Sequence, residues 1–275
     1  MIANKTLEIL ENRFGIQLHE IEIEEVRIGA FLTGIRLSNQ SFGVASTYIS
    51  KETGWQKGQR EFGPFTPGNI TGQTAGSLFS GDIRSQFLDS LQAATLNALS
   101  SRFLSSEYYH IHENRDPFDF LDFPGSKKAT VVGAFQSYIR RLKEAGANFK
   151  VLELNPDALR PEDIGYYVPA AEAERILPGS DIVIITGSTL ANRSLDGLLA
   201  LIPEHSTVVV TGPTSSLLPD LLFKKKVDIV GATRILDPEK MMQVVSQGGA
   251  GYHLFRYCAQ KIVVLREGQK PVVQG

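Results

Sequence analysis

The chain has 275 residues, 42% of them hydrophobic and 21% charged, with a formal net charge of −2. That is enough for one large or two ordinary globular domains, and no segment dense in Lys or Arg carries interleaved aromatics, which argues against a nucleic-acid partner. The lone Cys258 excludes an internal disulfide and a Cys-rich zinc or iron–sulfur site. No apolar stretch reaches membrane-spanning length and the N-terminus lacks a signal-peptide pattern, so the expected setting is the cytoplasm, with no membrane partner.

Leu7, Leu10 and Phe14 are spaced for a helix over Lys5 to Phe14. Ile21, Ile23, Val26 and Ile28 predict a strand whose register drifts near Glu24 and Glu25. Ala30 to Leu37 and Phe42 to Ile49 predict two more strands, so an antiparallel meander is expected. Thr53 to Gly81 is rich in Gly, Pro and Thr and carries the only tryptophan, Trp55. A loop this long is expected to serve a function or to move. Asp82 is placed to cap a long helix to Phe103, with Ile83, Phe87, Leu91, Ala94, Ala98 and Leu99 on its apolar face. Residues 108–128 mix charge with aromatics around Pro117, Pro124 and Gly125, and read as a linker.

Beyond the linker the rhythm becomes strand–helix alternation. Strands are predicted at Ala129 to Gly133, Phe149 to Leu154, Asp181 to Thr186, Thr207 to Thr211, Val227 to Gly231 and Lys261 to Leu265. Helices are predicted at Gln136 to Ala145, Pro169 to Ile176 and Pro238 to Val245, and Lys224 to Lys226 reads as a solvated helix end. Continuous Val/Ile runs between helices suit a parallel, doubly wound sheet. The domain reading is therefore 1–107, a linker at 108–128, and 129–275.

Two of these strands end alike. Asp181-Ile-Val-Ile-Ile-Thr186 runs into Gly187-Ser188-Thr189, and Thr207-Val-Val-Val-Thr211 into Gly212-Pro213-Thr214-Ser215. In open α/β sheets, ligands bind outside the carboxyl ends of the strands, so Thr186, Gly187, Ser188, Thr189, Asn192, Gly212, Pro213, Thr214 and Ser215 are expected to meet a polar or anionic ligand through amides and hydroxyls. Asp237 could add a carboxylate or simply cap the next helix. Gly248 and Gly249, within Gln247-Gly-Gly-Ala-Gly251, face a ligand or form a mobile loop. The first βα turn holds Gly133 but not the three glycines of a dinucleotide site, and Glu153 stands where an acid would bond a ribose. That pair is compatible with an adenosine or methyl-donor cofactor and argues against ordinary NAD binding, and the cofactor stays open. His110, His112 and Glu113 are metal-ligand types, but their place in a linker argues against a metal site.

The stretches Asp181 to Asn192, Gly212 to Leu222, Asp237 to Lys240 and Gln247 to Gly251 resemble the putative heavy-metal-chelation domain family. Gly29 to Thr33, Gly43 to Thr47, and Ala94 to Leu99 with Asn97 resemble that family's leading domain. The resemblance implies an enolase N-terminal-like α+β domain followed by a Rossmann-like domain, with a site between them. It implies action on a small metal-chelating or heterocyclic metabolite, pterin-, flavin- or siderophore-like. A carrier or sensor of such a metabolite and an S-adenosylmethionine-dependent methyltransferase are the competing readings. Ser188 and Arg193 stand where the family often has Thr and Gly. With one thiol in the chain, direct heavy-metal ligation is not expected. Asn97, or the glycine-rich stretch, is expected to form a lid over Gly187 and Gly212.

Overall fold

The computed structural model describes residues 2–48, 61–81 and 85–267. Helix α1 (Ile2–Phe14) buries Ile2, Thr6, Leu7 and Leu10. Strands β1 (Ile23–Ile28), β2 (Leu32–Leu37) and β3 (Phe42–Ser46) form the expected antiparallel meander. The drift near Glu24 is a register shift between Ile23 and Glu25, as an inserted bulge residue produces. Helix α2 (Gln86–Ser101) lies across the meander, and its N-cap is Ser85, whose side chain accepts from the Leu88 amide. Asp82 and Ile83 lie outside the described residues, as does Trp55. A Cβ on Gly43 would stand 2.1 Å from the Ala94 carbonyl oxygen, so β3 and α2 pack this closely only because residue 43 has no side chain.

The described part of the glycine-rich stretch packs on the first domain. It runs along the outer edge of β1, where the Ile23 amide donates to Gln73 O (2.9 Å) and the Ala75 amide to Ile21 O (2.8 Å). Those bonds satisfy an edge that would otherwise be open.

The large sheet contains β4 (His110–Glu113), β5 (Lys128–Val132), β6 (Asn148–Glu153), β7 (Tyr167–Pro169), β8 (Ile182–Thr186), β9 (Thr207–Thr211), β10 (Ile229–Ile235) and β11 (Ala259–Leu265). Their order is β4-β11-β10-β9-β8-β5-β6-β7. The six strands β5 to β10 pair in parallel, and β11 and β4 add antiparallel pairs at one edge. This is the doubly wound order, with its switch point between β5 and β8. Its helices are α3 (Gln136–Glu144), α4 (Ala173–Ile176), α5 (Ser188–Ala191), α6 (Leu195–Leu201), α7 (Asp220–Lys224), α8 (Pro238–Ser246) and α9 (Gly251–Tyr257). The last begins at Gly251, where the sequence reading predicted no helix.

Residues 108–128 are not a linker. His110 to Glu113 pair with β11, and a turn at Pro117–Phe120 straps one sheet face, burying Phe118 and Phe120 against Val131, Ile184 and Val209. Asp116 caps that turn and accepts from Tyr138 Oη (2.8 Å) and Lys261 Nζ (2.6 Å). The mix of aromatics and charges is an amphipathic strap, with rings inward and charges paired.

The meander is held from both sides. Leu32 and Val44 share a core with Met241, Met242 and Val245 of α8, while Leu91 and Leu99 of α2 belong to the core that contains Val183, Val208 and Val210 of the large sheet. Arg13 of α1 adds an ion pair to Asp220 of α7 (3.1 Å). Among the described residues no helix is long and apolar enough to cross a membrane.

Candidate functional site

The two hydroxyl loops lie at the carboxyl ends of β8 and β9, and the protein itself covers them. Thr214 and Ser215 are fully buried. Ser215 Oγ lies 2.7 Å from both the Gly212 and Gly231 carbonyl oxygens. Thr214 Oγ1 accepts from the Ser46 amide of β3 (2.8 Å) and lies 3.0 Å from Ser46 Oγ, which Ser188 Oγ also reaches at 3.1 Å. Thr189 Oγ1 donates to Thr186 O (2.6 Å), and Thr186 Oγ1 accepts from the Ser188 amide (3.3 Å). The Gly187 amide donates to Thr211 O (2.7 Å), and the Gly212 amide to Gly231 O (3.3 Å). Asn192 Oδ1 accepts from Ser194, the turn's own residue. The hydroxyls expected to greet an anion therefore bond β3 and neighbouring loops.

The first βα turn is likewise closed. Glu153 accepts from the amides of Ala134 (2.8 Å), Leu154 (2.7 Å) and Asn155 (3.1 Å). Its carboxylate sits where a cofactor phosphate would seek the turn's amide. Gly133 has φ +101°, and a Cβ there would stand 2.9 Å from Thr186 Cγ2, so glycine serves strand-end packing here.

Asp237 takes the capping option: its side chain accepts from the Lys240 amide (2.9 Å) at the start of α8. Gly248 and Gly249 close that helix through bonds to Val245 O (3.2 Å) and Val244 O (2.8 Å). Cys258 is buried, and burial, with Asp237 nearby, pushes its thiol up to about 11. It is therefore a protonated, inert thiol at neutral pH. Among the described residues no group of three or more His, Cys, Asp or Glu is placed to hold a metal.

Asn97 is different. It stands against the Gly212 loop, and its Nδ2 lies 2.8 Å from Val44 O, 3.1 Å from Pro213 O and 3.2 Å from Thr214 O. Those three carbonyls decide which way the amide points. Asn97 Oδ1, on the other side, is buried with no hydrogen-bond partner. The residue lines a cleft of about 290 Å3 between the meander and the large sheet. Phe42, Val44, Leu104, Ile235 and Ile262 give it apolar walls, and Ser101, Ser216 and Arg234 add polar groups. Sequence reasoning found Asn97 but missed Arg234. The available signal was a lone charge in the otherwise apolar and small run Ile229 to Ile235.

The architecture defines a class: an α+β leading unit packed on a doubly wound, Rossmann-like sheet. The family described as putative heavy-metal chelation matches residues 116–264, and a second model of the same description matches residues 11–100. The chain belongs to this family. It is similar to a family protein of unknown function from Pyrococcus horikoshii (TM-score 0.77, 18% identity, 96% of this chain and 100% of that one). It is also similar to one of unknown function from Desulfitobacterium hafniense (TM-score 0.70, 19% identity, 96% and 99%). An uncharacterised protein of Methanocaldococcus jannaschii is 28% identical over 151 residues, 54% of this chain and 57% of that protein's length. At these identities the two solved structures speak to the fold alone.

Proposed function

We propose that the protein binds a small organic metabolite, itself a metal chelator, in the cleft between the meander and the large sheet, as a carrier or sensor. The observation that carries this reading is Asn97 Oδ1, a buried oxygen without a donor in a residue that lines the cleft. Such an atom costs about 1–3 kcal/mol unpaired, and an N–H or O–H of a ligand would remove that cost. Apolar walls with a few fixed polar groups suit a flat heterocycle or a siderophore-like molecule. The described walls contain no Asp, Glu, His, Cys, Lys or Tyr. They offer shape and donors but no general base, which favours binding over proton-transfer catalysis. The family description supplies the link to metals. With Cys258 buried and protonated, the donors for a heavy metal would come from the metabolite. A methyl-donor cofactor at Gly133 and Glu153 has less support, because Glu153 is spent on three backbone amides.

The test is native mass spectrometry of protein purified under gentle conditions, compared with Ser101→Trp. Ser101 is exposed on α2 and lines the cleft, so the indole should fill the site without entering the core. A small molecule held by the wild type and lost from the variant is the expected result. Retention of the same molecule by Ser101→Trp would refute the cleft as its site.

A further inference from the structure

Resting on that cleft reading, we infer that Arg234 selects the ligand's charge and that the cleft takes an anion, a carboxylate carried on a flat, largely apolar body. Arg234 is the only charged side chain among the described residues that line the cleft. It sits near the end of β10, and its side chain is 29% exposed. Nη1 donates to Glu113 of β4, and Nη2 donates to Leu104 O (3.1 Å). These bonds come from two different segments and hold the guanidinium plane in one attitude. They use two of its five N–H donors.

Glu113 is half exposed and is not part of the cleft wall. It therefore orients the cation from outside the wall while taking up part of its charge. Among the described residues no acid lines the wall to repel an anion. A planar cation of this kind pairs with a carboxylate through two parallel hydrogen bonds, which a neutral ester cannot match. Asn97 Oδ1 has no donor, and the remaining N–H groups of Arg234 are left for a further acceptor. The two requirements together describe a ligand with an N–H or O–H on one side and a carboxylate on another.

Pyrrole-2-carboxylate and its methyl ester are matched probes: both keep the ring N–H, and only the first is charged. Calorimetric titration of the full chain should show the carboxylate binding at least about tenfold more tightly than the ester, as hydrogen bonds to a charged group predict. Arg234→Gln should remove most of that preference, Arg234→Lys should reduce it less, and Ser101→Trp should abolish binding of both probes. Equal wild-type affinities, or a preference that survives Arg234→Gln, overturn the inference while leaving the cleft reading intact if Ser101→Trp still blocks. If Arg234→Gln does not fold, an unchanged preference in Arg234→Lys overturns it instead. Binding of neither probe, or binding indifferent to Ser101→Trp, overturns both.

Discussion

The switch point of the large sheet and the interdomain cleft use similar residues in opposite ways. At the switch point, Ser188, Thr214 and Ser46 bond one another, and Glu153 fills the first turn. In the cleft, Asn97 spends its amide on three carbonyls and leaves its oxygen unpaired. A crevice that holds a cofactor in other doubly wound proteins is sealed here by a domain packed on its mouth. An open cleft lies instead at the seam between that domain and the sheet edge. Polar residue type at a strand end therefore marks where a partner is needed, and the partner can be the protein itself.

The sharpest way to break this comparison is Asn97→Leu. Loss of Nδ2 strips a donor from three carbonyls, only one of which, Pro213 O, has a second side-chain donor among the described residues, Ser216 Oγ. A destabilisation of about 3 kcal/mol is expected, from about 1–3 kcal/mol per buried group left unpaired and partial relaxation. Denaturant unfolding measures it, and a loss below about 1 kcal/mol would mean that Asn97 is not the pin between the domains. Glu153→Ala comes next, at about 2 kcal/mol, since hydrogen bonds to charged groups are worth roughly 1.5–3 kcal/mol. Titration with NADH should give no fluorescence enhancement in the wild type. Enhancement there would show that the first turn opens.

A pH effect sharpens the picture of how the domains are held. Asp196 is partly buried, which alone would raise its pKa, but the Lys225 ammonium and the Ile2 amide outweigh this and hold it below the usual carboxylate range. The same balance, with Arg141 and the Asp116 amide, holds Asp119 low. A carboxyl with a depressed folded-state pKa contributes stability above its unfolded pKa, and loses it as pH falls through the folded value. Stability should therefore drop as pH falls below about 4, and Asp196→Asn should flatten that slope without changing it above about pH 6. An unchanged slope would remove Asp196 as an anchor of α1.

The smallest effect expected is for Arg193→Gly. Arg193 has φ +61°, which costs a non-glycine residue about 1 kcal/mol. Its guanidinium also bonds Asp89 and Gln92 of α2. Relief of the first and loss of the second should leave stability within about 1 kcal/mol of the wild type. A much larger loss would make this pair, rather than Asn97, the main tie between α2 and the second domain.

Much of the secondary structure was legible because it is written in local periodicity. The Val/Ile runs of β8 and β9, the β1 bulge and the capped start of α8 all follow from residues a few positions apart. The strap at residues 108–128 was not legible. Its aromatics bury against a sheet face built from residues 129–265, and its charges meet Lys261, far along the chain. The candidate loops were found by composition. Whether their hydroxyls meet a ligand or β3 depends on docking between domains.

The sequence alone determined the α/β class, the antiparallel meander and the parallel sheet, because each rests on short-range pattern, while Asn97 stood out only through the family resemblance. Only the tertiary structure decided that β3 and α2 close the strand-end mouth and that Arg234, missed in the sequence, joins Asn97 in the wall of a cleft. Those two residues are brought together by the close packing at Gly43 and by the sheet order that sets β10 beside β11 and β4. Such long-range juxtapositions leave no periodic trace in the chain.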